Sequence, residues 1–200
     1  MRNVVLLEHM SLDGFVAGPN GEMDWILLDD EMFDDVSKIT EDADTALYGR
    51  VTYQMMESYW PTAAEQPTAT KHDIEHAHWV NNASKIVFSR TLKKTTWNNS
   101  RIRIIHEQIE EEIKKLKQQP GKDLLMIGSP GIAQTFIQLG MIDVYYINVN
   151  PVILGSGIPL FNPGSAGTNP KDRNRNLLKL LESKTYNSGV INLRYETNRN

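Results

Sequence analysis

The chain has 200 residues, of which 40% are hydrophobic, and we expect it to form one globular domain with a sizeable core. The net charge is −4 and the basic residues are scattered, so the sequence shows no basic patch of the kind that binds nucleic acid. The absence of cysteine excludes disulfides, thiolate catalysis and cysteine-ligated metals. The beginning of the chain lacks a secretory pattern and no window approaches 18 apolar residues, so we expect a cytoplasmic protein without a membrane partner.

Apolar, β-branched runs alternate with helical patterns along the chain. In order, the sequence predicts a strand at 4–7, a helix at 30–39, a strand at 45–48, helices at 52–58 and 70–81, strands at 85–89 and 102–105, a helix at 107–118, a strand at 124–127, a helix at 132–139 and a strand at 144–149. This alternation predicts an α/β fold with mostly parallel strand pairing.

The last quarter of the chain follows a different pattern. Residues 177–184 and 190–195 are strand candidates joined by an Asn-Ser-Gly turn signal, which predicts an antiparallel hairpin. We therefore expect a mixed sheet, parallel for most of its width and antiparallel at one edge. Residues 61–67 and 162–176 are rich in turn-forming residues, and we expect both to be surface loops within a single domain.

A polar, glycine-containing segment at residues 8–18 follows the first strand. Gly14 and Gly18 allow positive φ angles and a close approach of the backbone to a flat ligand. Open α/β sheets usually bind their ligands at the carboxyl ends of such strands. The alternative is an ordinary strand exit.

Two further strand ends carry arginine beside small or hydroxyl residues. Gly49 and Arg50 precede a helix with Thr52 in its first turn, where backbone N–H groups and a guanidinium favour an anion. Ser89 and Arg90 suit a phosphate monoester such as the 2′-phosphate of NADPH. The alternatives are a simple helix cap and a solvated turn.

The fourth strand end is the most glycine-rich. Residues 124–127 run into a Gly-Ser-Pro-Gly turn and then a helix, an arrangement that lets the backbone approach a pyrophosphate. The spacing matches neither the GxGxxG fingerprint nor the phosphate-binding loop of nucleotide hydrolases.

Taken together, these segments resemble the dihydrofolate reductase fold. The motifs are Ser-Leu-Asp-Gly at 11–14, Gly-Arg-Val-Thr at 49–52, Phe-Ser-Arg at 88–90 and Ile-Gly-Ser-Pro-Gly at 127–131, with the stretch at 150–161 matching as well. The combination is similar to the reductase domain of riboflavin-biosynthesis deaminase–reductases and their stand-alone relatives. Without cysteine the deaminase signature is excluded, so the sequence predicts the reductase alone.

The resemblance implies an NADPH-dependent reductase that acts on a small pterin-, pyrimidine- or imine-like substrate. It implies a single reductase domain over residues 1–200, with a mixed sheet that has helices on both faces. The cofactor-binding residues that it implies are Ala17 and Gly18 at the nicotinamide, Gly49, Arg50 and Thr52 at phosphates, Ser89 and Arg90 at the adenosine, and Gly128, Ser129, Gly131, Ile132 and Ala133 at the pyrophosphate. Ser129 stands where the family usually has glycine.

On the substrate side, the resemblance implies contacts from Asp13, Trp25 and Asp30. Asp30 matches the acidic position of dihydrofolate reductases by its spacing from Trp25, and it is the candidate catalytic proton donor. Its alternatives are a helix cap or an acid in the first helical turn. Asp24 and Asp29 are neighbouring acids that can be confused with it.

A competing pattern, His-x-x-Glu-His, spans residues 72–76. On a helix His72 and His76 share a face and can bind zinc, which makes a metallohydrolase an alternative function. No third ligand is evident, and we predict no metal.

A nucleotide-binding protein without catalysis is another alternative function. We further predict a homodimer, with residues 144–154 as an interface at the sheet edge.

Overall fold

The computed structural model describes residues 1–97, 101–161 and 177–198. The helices are α1 (Asp30–Glu41), α2 (Arg50–Tyr59), α3 (Lys71–Asn82), α4 (Ile109–Gln118) and α5 (Pro130–Gln138), with a 3₁₀ turn at Ala63–Glu65. The strands are β1 (Val4–Ser11), β2 (Phe15–Ala17), β3 (Ala43–Gly49), β4 (Ser84–Phe88), β5 (Ile102–Ile105), β6 (Asp123–Ile127), β7 (Val144–Asn150), β8 (Ile158–Pro159), β9 (Leu178–Thr185) and β10 (Ile191–Thr197).

Eight of these strands form one mixed sheet in the order β5-β4-β3-β6-β1-β7-β10-β9. The first six strands in this order are parallel to their neighbours. Strand β10 runs antiparallel to β7 and to β9, and β9 and β10 form the C-terminal hairpin. The predicted fold, a mostly parallel sheet with an antiparallel hairpin at one edge, is confirmed.

Helices cover both faces of the sheet because the central strand buries both of its sides. Leu6 belongs to a core cluster with Ile113 of α4 and Phe136 of α5. Leu7, the next residue, points to the opposite face, where Val36 of α1 packs. A buried strand of a parallel sheet needs this continuous apolar run, which the sequence shows at residues 4–7.

The first strand is longer than the sequence predicts. It continues through residues 8–11, three of which are polar, and these pair in parallel register with residues 147–150 of β7. Backbone hydrogen bonds extend a strand regardless of side-chain polarity, so the apolar run marked only its first half. Ser89, in contrast, lies just beyond β4.

Helix starts also differ by a few residues from the predictions. Helix α5 begins at Pro130, two residues earlier than expected, since proline's fixed φ and missing N–H suit the first helical position. Helix α4 begins two residues later than expected, because Gln108 has a left-handed φ of 56°. The short strands β2 and β8 and the 3₁₀ turn were not predicted.

The predicted position of the dimer interface is wrong. Strand β7 is not at a sheet edge, because β1 pairs with one of its sides and β10 with the other. In the described part of the chain the outer strands of the sheet are β5 and β9.

The two predicted surface loops have different outcomes. The first, at residues 61–67, contains a buried residue, Ala63. The second, at residues 162–176, lies outside the described residues.

Candidate functional site

Four chain segments meet at one edge of the sheet. Strands β4, β3, β6 and β1 are parallel neighbours, so the residues that follow them emerge side by side at their carboxyl ends. Four positions named from the sequence lie here: Gly49 as the last residue of β3, and Asp13, Ser89 and Gly128 after the other three strands. In open α/β sheets this edge is the usual ligand-binding position.

Two helix N-termini lie together at the centre of this edge. Gly49 is the N-cap of α2 and Ser129 is the N-cap of α5, and the Ser129 hydroxyl accepts a hydrogen bond from the Gly49 N–H at 3.1 Å. Gly49 has no side chain to cap α2, and the Ser129 hydroxyl does not bond to α5. Both helices therefore direct their positive dipole ends towards the same space. In α5, Pro130 has no N–H and the Ile132 N–H bonds to the Ser129 carbonyl at 2.9 Å, so Gly131 supplies the first-turn N–H there.

The glycines of these turns have distinct roles. Gly128 has a φ of +65°, which only glycine adopts at little cost. A Cβ at Gly49 would come within 3.2 Å of the Ile132 side chain, so glycine allows the two turns to approach closely. A Cβ at Gly131 would meet no atom within 4 Å, which leaves the start of α5 open to a ligand.

Ser129 fits the position at which the family usually has glycine. It has a left-handed φ of 66° and a buried side chain whose hydroxyl is bonded to Gly49. The side chain therefore points into the protein and does not fill the ligand space. Its conformation costs about 1 kcal/mol relative to glycine, and the hydrogen bond offsets a cost of this size.

A cleft of about 720 Å³ lies beside the ends of β4 and β5 and along α4 and α5. It is lined by Ser89 and Arg90 after β4, by His106 after β5 and by Ile132 of α5. The Ser89 hydroxyl accepts a hydrogen bond from the Leu92 N–H at 2.9 Å, and the His106 ring nitrogen Nδ1 lies 2.6 Å from the Ser89 carbonyl. His106 was not predicted, although its position directly after a strand is a signal that sequence reasoning can use.

Asp13 holds two loops together. Its carboxylate accepts hydrogen bonds from the Ser11 hydroxyl at 2.7 Å and from the backbone N–H groups of Leu154 at 3.1 Å and Gly155 at 2.7 Å. The bond from Ser11 is the main cause that lowers the pKa of this carboxyl. Both oxygens bond within the protein, so Asp13 positions the loop after β7. Its contact with substrate stays a prediction.

The predicted nicotinamide contacts lie beside this loop. Ala17 pairs with Ile158 of β8, and a Cβ at Gly157, which has a φ of +153°, would overlap the Ala17 carbonyl oxygen. Gly18 donates its N–H to the Glu22 carbonyl at 2.9 Å. The expected positive φ occurs at Gly14 (+93°) but not at Gly18, whose N–H instead closes a turn.

The segment before α1 carries Trp25 and the predicted acids. The Trp25 indole N–H donates to the Glu22 carbonyl at 3.1 Å. Asp29, not Asp30, is the N-cap of α1, because the Asp29 carboxylate accepts hydrogen bonds from the N–H groups of Met32 at 2.9 Å and Ser188 at 3.2 Å. Asp30 is an exposed acid in the first helical turn.

Two further titratable residues lie on β1 at this edge, and sequence reasoning missed both. Glu8 is buried, and burial raises its pKa to about 8. Burial lowers the pKa of His9 to about 4. Among the described residues, Glu8 Oε2 and His9 Nδ1 have no hydrogen-bond partner. Their position could have identified them from the sequence, because both are titratable residues that continue an apolar strand towards the predicted ligand loop.

A second, polar cleft of about 460 Å³ lies between α1 and strands β7, β10 and β9. Asn192 donates a side-chain hydrogen bond to Asn148 at 2.7 Å within it. The Arg194 guanidinium lies 5.1 Å from the centre of the Tyr146 ring. Amide, aromatic and cationic groups of this kind suit a polar heterocyclic ligand.

The His-x-x-Glu-His pattern serves packing between helices. The His72 ring stacks on Phe33 at 3.9 Å, and the His76 ring lies 4.4 Å from that of Trp60. Burial lowers the pKa of His76 to about 4. Within residues 1–97, 101–161 and 177–198 no three His, Cys, Asp or Glu side chains form a group that could hold a metal ion.

Within the described ranges, no helix is long and apolar enough to cross a bilayer.

The sheet order, the helices on both faces and the four loops at one edge define an α/β protein of the dihydrofolate reductase-like class. The chain belongs to the family of the RibD C-terminal domain, whose model matches residues 2–192. This confirms the resemblance to the reductase domain of riboflavin-biosynthesis deaminase–reductases.

The chain is also similar, over nearly its whole length, to a relative and to solved structures. The uncharacterized protein YyaP of Bacillus subtilis (strain 168) is 36% identical over 199 residues, which cover 98% of this chain and 96% of YyaP. A putative riboflavin biosynthesis protein from Shewanella sp. PV-4 has a TM-score of 0.73 at 19% identity, over 98% of this chain and 99% of that chain. The deaminase/reductase of Thermotoga maritima has a TM-score of 0.65 at 16% identity, over 98% of this chain and 57% of that one.

Proposed function

We propose that this protein is an NADPH-dependent reductase that transfers a hydride to a small pyrimidine-, pterin- or imine-like substrate. The observation that carries the proposal is the pair of uncapped helix N-termini joined by the Gly49–Ser129 hydrogen bond, at the edge where four strand ends meet. Membership in the RibD C-terminal domain family supports the same reaction class.

The residues at this edge fit an extended dinucleotide. The first turns of α2 and α5 offer backbone N–H groups to a pyrophosphate, and the space beside Gly131 is open. The cleft that contains Ser89, Arg90 and His106 can take the adenosine, with Arg90 bonded to a 2′-phosphate. Arg50, the first residue of α2, and Thr52 in its first turn would hold the phosphates.

Bound NADPH supplies a hydride, and the protein's part is then to orient the two rings and deliver a proton. The backbone of residues 15–18, fixed by β8 and by the loop that Asp13 holds, would form the nicotinamide side of the site. Asp30, exposed at the start of α1, would supply the proton to the substrate nitrogen or oxygen. Trp25 and the polar cleft along α1 would contact the substrate ring.

Titration with NADPH and NADH, followed by a turnover assay, tests this function. We expect saturable NADPH binding that is tighter than NADH binding, and oxidation of NADPH in the presence of dihydrofolate or 5-amino-6-(5-phosphoribosylamino)uracil. A protein that binds NADPH but turns over neither acceptor would fit the alternative, a nucleotide-binding protein without catalysis. A protein that binds neither cofactor would contradict the proposal.

A further inference from the structure

Glu8 is a buried acid that the proposed mechanism does not use. Its side chain is 7% exposed, its Oε1 accepts a hydrogen bond from the His9 N–H at 3.2 Å, and its Oε2 has no partner among the described residues. Buried polar atoms almost always have a partner, because an unsatisfied one costs free energy. An unused carboxyl oxygen at a ligand-binding edge is therefore a candidate for a functional role.

Glu8 lies next to the turn proposed to bind the cofactor. The carbonyl of Leu7, the preceding residue, accepts a hydrogen bond from the Gly128 N–H at 3.2 Å, so Glu8 adjoins the turn that opens α5. Strand alternation places Glu8 on the same face as Leu6 and Met10. Both of these residues pack in the core cluster that contains Phe136 of α5.

Lys117 of α4 is a buried cation on this face, but it bonds to Asp143 at 2.6 Å, and Asp143 accepts the Val4 N–H at the opposite end of β1 from Glu8. It therefore does not offset ionisation of Glu8. The neighbouring elements β2, β7, β8 and α5 contain no lysine, arginine, histidine or acid, and Tyr145 of β7 stays neutral because burial raises its pKa to about 12. Asp123 of β6 lies at the far end of that strand, bonded to the Asn3 N–H. The charged residues of α4 form ion pairs such as Glu110–Lys114 and Glu112–Lys115. His9 points to the opposite face.

We propose that Glu8 is a positioning residue of the cofactor site, which accepts the anionic dinucleotide only while Glu8 carries its proton. This inference rests on the proposed function. A carboxylate at this position would repel the pyrophosphate across a medium of low dielectric constant and would draw water into the contact between β1 and the Gly128 turn. The neutral acid does neither, and its O–H can donate a hydrogen bond.

The expected pH dependence follows from the direction of the pKa change. Burial raises the pKa of Glu8 to about 8, so the side chain is neutral near pH 7 and ionised well above pH 8. The affinity for NADPH is then constant from pH 7 to about pH 8. Above pH 8 the affinity for NADPH falls roughly tenfold for each pH unit, and NADPH binding is accompanied by uptake of a proton from solvent.

The test compares wild type with Glu8→Gln, which keeps the shape and cannot ionise, between pH 7 and 9.5. NADPH affinity is measured by calorimetry, in buffers of different ionisation enthalpy so that proton uptake is obtained as well. We expect Glu8→Gln to match wild type at pH 7, to remain constant with pH, and to bind more than roughly tenfold more tightly than wild type at pH 9.5. Glu65→Gln, an exposed acid remote from this strand end, is the matched control and should follow wild type.

The role of Glu8 is overturned if the NADPH affinity of wild type stays constant to pH 9.5, or if NADPH binds at pH 9 without proton uptake. The proposed function then still stands. The same conclusion follows if Glu8→Gln weakens with pH as wild type does. If Glu8→Gln does not fold, the proton uptake of wild type decides. Failure of wild type to bind NADPH at pH 7 overturns the proposed function, and this inference with it.

Discussion

At the scale of the residue, Asp30 carries the proposed proton transfer. If it delivers the proton, Asp30→Asn should lower turnover by roughly 10²–10⁴-fold, the usual contribution of general acid–base catalysis, and the pH–rate profile should lose one limb. NADPH affinity should barely change, because the phosphates are held by other loops. Steady-state kinetics with dihydrofolate across pH, together with a binding titration, provides the measurement.

The structure supplies the control for that experiment. Asp29 caps α1 through Met32 and bonds to Ser188, whereas Asp30 is exposed. Asp29→Ala should therefore destabilise the protein by about 1 kcal/mol through loss of the cap, and Asp30→Asn should leave the melting temperature near that of wild type. Wild-type turnover and an unaltered pH profile in Asp30→Asn would remove Asp30 from the mechanism.

Arg90 should determine the choice between NADPH and NADH. It lines the cleft proposed for the adenosine, where a guanidinium can make charge-assisted bonds to the 2′-phosphate. Arg90→Ala should narrow the preference for NADPH by roughly 1.5–3 kcal/mol, the range for hydrogen bonds to charged groups, with NADH affinity unchanged. Isothermal titrations with both cofactors measure this, and equal affinity of wild type for the two would refute the assignment.

At the scale of the element, the short pairing of β2 with β8 fixes one side of the site. A Cβ at Gly157 would overlap the Ala17 carbonyl oxygen, and the φ of Gly157 is +153°. Gly157→Ala should therefore separate the two strands, lower the melting temperature and weaken NADPH binding. Thermal unfolding and the same titration report both effects.

Gly155→Ala is the matched control, since Gly155 also has a positive φ (+74°) but its added Cβ would meet nothing within 4 Å. We expect it to lose only the roughly 1–2 kcal/mol that a left-handed conformation costs alanine. Equal losses in the two variants would mean that backbone strain, and not the contact with Ala17, accounts for the effect.

The elements also show how far sequence reasoning reaches. The alternation of strands and helices and the Gly-Ser-Pro-Gly turn could be predicted because they depend on local periodicity and backbone chemistry. Strands β2 and β8 could not, since three and two residues are too few for a periodic pattern. Glu8 and His9 were assigned to a loop because their polarity concealed the continuation of β1.

At the scale of the whole molecule, strand order is the property that the sequence conveys least. Strand β7 is the last strand of the alternating strand–helix pattern, yet it lies inside the sheet because β10 returns to pair with it. Such pairing depends on contacts between residues more than 40 positions apart, which no local window contains. The expected homodimer therefore cannot form by strand pairing at β7.

We propose that the dimer forms at β9, the outer strand of the hairpin. Its apolar residues are exposed, Leu180 by 50% and Leu181 by 39%, and no described strand pairs with its outer side. An exposed apolar edge strand favours association, and closed two-fold dimers are the commonest soluble assembly. Light scattering at micromolar concentration should give twice the mass of the chain.

Leu181→Glu should shift that mass towards the monomer, because a dimer would bury an unpaired carboxylate in its interface. Ile74→Glu is the matched control, since Ile74 on α3 is also 39% exposed but lies on a different element, and it should remain dimeric. A monomeric wild type would contradict the dimer itself. A dimer that survives Leu181→Glu would contradict only its placement at β9, and β5, the other outer strand of the described sheet, would then be the edge to test.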